Sequence, residues 1–401
     1  MKAVVLGGGG LTGRVAVRDL ARDPQFDEIV CADVDAGLAA AAARAASRTG
    51  VRAETVDVRN SDQVVRLLRG AAVCVNAVQY TFNLDVMGAC LEARVPYLDF
   101  GGLFHVTRRQ LEWDGRFRDA GLLAIPGLGQ VPGLSNVLIA DAVRDLDEVE
   151  SVVIRDGWCD LTQGGPEIAF TWSPSTFLDE MNLPAMVWED GSYREYPPMS
   201  GSEVFDFGVP VGPTKVYRTL HSEPATIPAS FPDKRIRRCE WKEGGPGIEV
   251  LRVMAKLGLG SDRPMELHGS SVTPREFLLA LLKREQLLGY PPGVVVNDWE
   301  ILDIEVVGAT AGAPIRRRAT ARFPPKPDWS ASATEYAVGV CGSVGAGLLA
   351  RGRAIGTGVV PPERSIPSTP FRAALRERGI PSAVTPPEPP LPPFEPPRTG
   401  T

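Results

Sequence analysis

Histidine is nearly absent: the chain has three in 401 residues, and none stands in H-x-x-x-H or H-E-x-x-H spacing. That argues against a zinc centre, and no metal site is expected. Paired cysteines are also missing. The six thiols (Cys31, Cys74, Cys90, Cys159, Cys239, Cys341) are scattered with no C-x-x-C, and two of them sit inside apolar strands. This is the pattern of buried thiols in a reducing compartment rather than of a disulfide framework. There is no run of eighteen apolar residues, and the first residues already read as a strand. Neither a leader nor a membrane span is therefore expected, and the location read from this is cytoplasmic. A basic excess is lacking too. The net charge is −6, and the arginines cluster only briefly at 235–238 and 316–318, so no nucleic-acid surface is expected.

What the chain does have is glycine at one decisive place. Residues 3–13 read AVVLGGGGLTG, a short apolar strand that runs into a glycine loop. A helix follows, and its first N–H groups point at whatever rests on the loop. A diphosphate suits that arrangement best. Two registers stay open: Gly8-Gly10-Gly13 as G-x-G-x-x-G, or Gly7-Gly10-Gly13 as G-x-x-G-x-x-G. The next strand, IVCADVD, carries Asp33 twenty residues beyond Gly13. A carboxylate there accepts hydrogen bonds from an adenosine ribose and repels a 2′-phosphate. The expected cofactor is NAD, ahead of NADP.

Strands and helices alternate strictly up to residue 127, with short links. That grammar gives an α/β fold: a doubly wound parallel sheet whose ligands lie beyond the carboxyl ends of its strands. Four units are expected: a dinucleotide-binding domain over 1–131, an inserted α+β substrate and oligomerisation domain over 132–333, a helical return to the first domain over 334–380, and a disordered proline-rich tail over 381–401. The cofactor contacts expected on the sheet rim are Gly8, Gly10, Leu11, Thr12, Gly13, Asp33, Asp57, Val58, Asn76, Ala77 and Gly129. Oxidising or forming a C–N bond needs an acid–base group and anchors for charged substrate ends. Asp99, His105 and Tyr80 sit at strand ends on the rim and are the catalytic candidates. Arg218, a possible carboxylate clamp, and its neighbours His221 and Glu223 are the substrate-binding candidates.

Longer motifs carry a family resemblance. The glycine loop, the IVCADVD strand, VCVNAVQYTFNLDVMGACLEARVPYLDFGG (73–102), GLLAIPGLGQVPGLSNVL (121–138), TGVVPPE (357–363) and RGI (378–380) together resemble the saccharopine dehydrogenase-like oxidoreductases, and among them the lysine 6-dehydrogenases. The resemblance implies a Rossmann domain, an inserted catalytic and oligomerisation domain and a returning C-terminal helix. It also implies nicotinamide-dependent chemistry on a C–N bond, with an amino acid or amine as substrate and a homodimer or homotetramer as assembly. Oxidation of lysine to a semialdehyde is the leading expectation. The alternatives are a reductase that condenses an amine with a carbonyl compound, as in saccharopine or carboxynorspermidine formation, and a non-catalytic NAD(P)-sensing regulator.

The cofactor expectation is directly testable. With Asp33 beside the ribose, catalytic efficiency should favour NAD over NADP by at least about tenfold. Steady-state rates with each coenzyme decide it, and a preference for NADP would refute it.

Overall fold

The computed structural model describes residues 1–166, 169–291 and 293–389. Six strands build the first sheet in chain order: β1 (Lys2–Leu6), β2 (Glu28–Asp33), β3 (Val51–Thr55), β4 (Val73–Asn76), β5 (Tyr97–Asp99) and β6 (Leu123–Ile125). A seventh, Gly358–Val359, arrives from the far end of the chain and pairs with β6. The spatial order is β3-β2-β1-β4-β5-β6 with Gly358–Val359 outermost, and every pairing is parallel. This is the doubly wound order, in which the chain reverses direction across the sheet between β1 and β4. Parallel strands covered on both faces read as unbroken apolar runs. Ala3, Val4, Val5 and Leu6 accordingly have at most 1% of their surface exposed.

Beyond residue 132 the chain forms a second, nine-stranded sheet. Its centre is the long strand β7 (Glu148–Asp160), with Arg238–Gly244 parallel on one side and Asp298–Thr310 antiparallel on the other. All its other pairings are antiparallel. A cleft lies between the carboxyl rim of the first sheet and the inner face of the second.

The helix Ala333–Ala350 locks the two together. Its glycines are required by close approach. A Cβ on Gly339 would stand 2.7 Å from the Thr12 carbonyl oxygen and from the Val15 side chain, and one on Gly342 would stand 2.1 Å from the Phe100 ring. Glu335 pairs with Arg14, and Ser343 and Arg378 both bond to buried Asp19. Among the described residues this is the one helix long and apolar enough to cross a membrane, yet 83% of it is buried inside the fold. Its hydrophobicity serves the core.

The end of the chain departs from expectation. Ser382–Val384 is not a loose tail: it adds an antiparallel edge strand to Ala313–Phe323, with Ser382 opposite Ala321 and Val384 opposite Ala319. Thr385 and Glu388 extend the backbone pairing to Arg318 and Arg316, and Arg372 grips the Ser382 carbonyl at 3.0 Å. Proline removes only its own donor, and the non-proline positions of this stretch supply the N–H groups that pair. Residues 390–401 of the proposed tail lie outside the described residues. A chain ended after Pro381 should therefore melt lower than the full-length protein, by a few degrees. Differential scanning calorimetry of the two measures this, and identical melting temperatures would show that the edge strand contributes nothing.

Candidate active site

Two adjoining spaces open on the carboxyl rim. The first, a hollow of about 350 Å³, lies over the glycine loop and is lined by Gly7, Gly10, Asp33, Asp57, Val58 and Ala77, among others. The helix Leu11–Leu20 starts here on Gly10 with no side-chain cap, so its first amides are left for an anion. Gly13 must be glycine, since a Cβ would fall 2.0 Å from the Gly7 oxygen. Gly7 itself has φ +72° and lines the hollow. Gly8 does not line it: its N–H bonds to the Ala32 oxygen at 3.0 Å, and a Cβ would press on the Cys31 sulfur. The loop thus favours the Gly7-Gly10-Gly13 register for contact with the cofactor. Asp33 accepts the Gly9 N–H at 3.0 Å and also faces the hollow. Asp57 faces it too, paired with Arg59 at 2.6 Å. Loop, helix start and acidic strand end together fit a dinucleotide.

The second, a cavity of about 280 Å³, lies between the sheets. Thr12, Ala77, Tyr80, Gln130, His221 and Trp241 are among its lining residues. His221 is 6% exposed and stacks on Trp241, with ring centroids 3.8 Å apart and planes 10° from parallel. Its Nδ1 meets a carboxylate oxygen of Glu223, whose other oxygen accepts from Ser135 Oγ at 2.7 Å. Burial alone would lower the imidazole's pKa, but the Glu223 carboxylate outweighs it and the net direction is up.

Around the histidine stand acids that the sequence expectations did not include: Asp156, Asp160, Glu180, Glu243, Asp298 and Glu300. Asp156 on β7 is in register with Glu243 on Arg238–Gly244, while Glu300 and Asp298 stand on the next strand. Burial raises the carboxyls of Asp156, Glu180 and Glu243, and their like-charged neighbours raise them further. Burial also pushes Asp298 up to about 7. One oxygen of Asp156 and one of Glu180 have no partner among the described residues. The signal in the sequence was acidic residues set within otherwise apolar strands, as in VVIRDGW and DWEILDIEVV.

Several expected site residues lie elsewhere. Asp99 is 1% exposed and does not line the cavity; Tyr97 Oη, Gln110 Nε2 and the backbone N–H groups of Gly101 and Gly127 all donate to its two oxygens, at 2.6–2.8 Å. With its acceptor sites so occupied it holds structure. His105 is exposed on the helix Leu103–Leu111, edge-on to Phe104, and away from the cavity. Arg218 bonds to Glu240 at 2.6 Å and lies over the Tyr196 ring, so it is not a free clamp facing the cavity. Asn76 donates to Asn83 and Tyr97 and faces neither space. Gly129 is buried with its N–H on the Pro132 oxygen, and the turn presents Gln130 instead. Glu223 has no exposed surface and reaches the cavity only through His221. Tyr80 does line the cavity and donates to Asp179 at 2.8 Å.

Comparison with known proteins places this geometry. Residues 3–125 match the saccharopine dehydrogenase NADP-binding domain, and residues 129–380 match the saccharopine dehydrogenase C-terminal domain. The chain belongs to the saccharopine dehydrogenase family. It is an NAD(P)-dependent oxidoreductase acting on CH–NH groups. It is 28% identical over 291 residues to a carboxyaminopropylagmatine dehydrogenase of Synechocystis sp., a match that spans 70% of this chain and 72% of that one. It is 29% identical over 267 residues to a carboxynorspermidine synthase of Vibrio alginolyticus, spanning 62% of this chain and 63% of that one. The fold is similar to apo saccharopine dehydrogenase (L-Glu forming) from Saccharomyces cerevisiae: the TM-score is 0.71 and the identity 16%, with 96% of this chain and 99% of that one covered. It is also similar to homospermidine synthase from Legionella pneumophila in complex with NAD, with a TM-score of 0.64 and 12% identity over 96% of this chain and 91% of that one.

The structural role of Asp99 makes a prediction. Asp99→Ala leaves four buried donors without an acceptor and should lower folding stability by about 3 kcal/mol. Asp99→Asn should cost less and leave the pH profile of turnover unchanged. Urea melts and pH–rate curves test both, and loss of a pH-rate limb in Asp99→Asn would return the residue to acid–base chemistry.

Proposed function

We propose that the protein is a reductase that joins an aliphatic di- or polyamine to a carbonyl compound through a new C–N bond. The observation that carries this is the charge of the cavity. Among its described lining residues six are acidic and none is lysine or arginine. A doubly carboxylated substrate would meet no lysine or arginine there. An ammonium group would meet buried carboxylates that lack partners, and filling that deficit favours binding. The names of the Synechocystis and Vibrio relatives point the same way. Oxidation of free lysine, the leading expectation from sequence, has less support, since these relatives are named for carboxyaminopropylagmatine and carboxynorspermidine.

In this reading the acidic wall binds the far end of the amine and sets its reach. Tyr80, on the Rossmann side, and Ser222, next to His221, are neutral and suit an uncharged carbonyl. His221 is held through Nδ1 by Glu223, which leaves Nε2 for the substrate. Its raised pKa favours the imidazolium, which can protonate the oxygen that departs as water when amine and carbonyl condense. When bound, the nicotinamide supplies the hydride that reduces the C=N carbon. Trp241 packs against the imidazole and fixes its plane.

The pH dependence follows from the signs. The unfolded chain loses its carboxyl protons near pH 4, whereas the buried carboxyls still hold theirs in the folded chain. The free protein should therefore lose stability as pH rises from about 4 to 7 and beyond. An ammonium ligand pairs with the ionised form, so diamine affinity should rise from pH 6 to pH 8. His221 acts oppositely: its proton is present below its raised pKa and lost above it, which gives turnover an alkaline limb. The test follows NAD(P)H oxidation with aldehydes and diamines in combination, beside NAD(P) reduction by lysine. Diamine-dependent oxidation is expected. His221→Gln should cost about 10²-fold in kcat, and Glu223→Gln should move the alkaline limb to lower pH. Lysine oxidation without any diamine-dependent reaction would overturn the proposal, and cofactor binding with no turnover would favour a regulator.

A further inference from the structure

The turn that leaves β6 carries a side chain the reaction scheme has not explained. Gln130 has 0% exposure, and neither its Oε1 nor its Nε2 has a partner among the described residues. Its backbone oxygen is occupied by the Ser135 N–H at 3.3 Å, while the side-chain amide is idle. Burying an amide with nothing to bond is unfavourable, and such groups in native proteins generally serve something absent. Nothing in the fold needs Gln130 to be polar. The turn is already held by Gly127 N–H on Asp99, Leu128 N–H on the Asp99 carbonyl and Gly129 N–H on the Pro132 oxygen.

Sheet order says what the amide faces. In the order β3-β2-β1-β4-β5-β6 a dinucleotide lies across the reversal between β1 and β4. The hollow with Asp33 and Asp57 is on the β2–β3 side and takes the adenosine half. Ala77, Val78 and Gln79 line both spaces, so the two are continuous. The other half of the dinucleotide then enters the cavity between the sheets on the β4–β6 side, where Gln130 is. A nicotinamide carries a primary carboxamide, with one acceptor and one donor pair in a plane. A glutamine amide offers the same set reversed, so two amides pair reciprocally.

We propose that Gln130 binds the nicotinamide carboxamide and thereby fixes which ring face meets the substrate. The experiment compares Kd for NADH with Kd for ADP-ribose, which keeps the diphosphate and adenosine and lacks the nicotinamide ring. In Gln130→Met, NADH should bind about tenfold more weakly while ADP-ribose binds as in the unaltered protein. The free variant should melt at the same temperature or higher, because the change removes an unsatisfied buried group. Gln130→Glu keeps an acceptor and should fall between the two. An unchanged NADH to ADP-ribose ratio in Gln130→Met would overturn the proposal. So would parallel weakening of both ligands with a lower melting temperature, since that marks a structural role. No amine or aldehyde enters the titration, so its outcome is independent of the substrate reading, and ADP-ribose binding to the unaltered protein separately checks the dinucleotide site.

Discussion

One buried carboxylate organises the floor of the cleft. Asp99 ends β5, and its two side-chain oxygens collect a tyrosine hydroxyl, a glutamine amide and two backbone N–H groups from separate turns. A carboxyl with 1% exposure is tolerated only because those donors replace the water it lost. The bond to Gly127 matters most for geometry. It fixes the turn by which the chain leaves β6, and so it fixes Gln130 and the entry into the second sheet. The adjoining network of Asn76, Asn83, Tyr97 and Gln110 extends the same anchor under β4.

The two walls of the cleft obey opposite electrostatic rules. On the Rossmann floor every buried acid has its donors. On the facing wall Asp156, Glu243 and Glu300 of the second sheet and Glu180 of the helix Pro174–Asn182 crowd one another, and their oxygens are not all bonded. A folded chain tolerates such a wall by keeping protons on it, which is the direction in which burial and mutual repulsion push Asp156, Glu180 and Glu243. If the wall binds the proposed ammonium group, the site is organised for its ligand at the expense of the free state.

The far end of the chain closes the molecule back on its beginning. Glu363 in the TGVVPPE motif accepts from Asn136 at 2.9 Å and from Ser230 at 2.8 Å, and so ties the helix Leu134–Val143 to the helix Glu223–Ser230. That second helix carries Glu223, and Ser135 on the first bonds to it. A motif noted in the sequence for its family resemblance therefore also helps hold the partner of His221 in place.

The sequence by itself determined the Rossmann half. Its apolar strands, glycine loop and Asp33 are local patterns with a period and a spacing, and local backbone physics suffices to read them. His221, Glu223 and Tyr80 were also legible as polar residues near the expected cleft. Which candidates reach the cavity was decided only by tertiary structure. Asp99 and Arg218 look free in sequence, but Gln110, Gly127 and Glu240, which occupy them, come from distant segments. The acidic wall shows locally only as isolated acids in apolar surroundings, because Asp156, Glu180, Glu243 and Glu300 lie on four separate elements. Each is ordinary alone. Their chemistry comes from sharing one buried, low-dielectric space, and only the packing of the second sheet against the first creates that space.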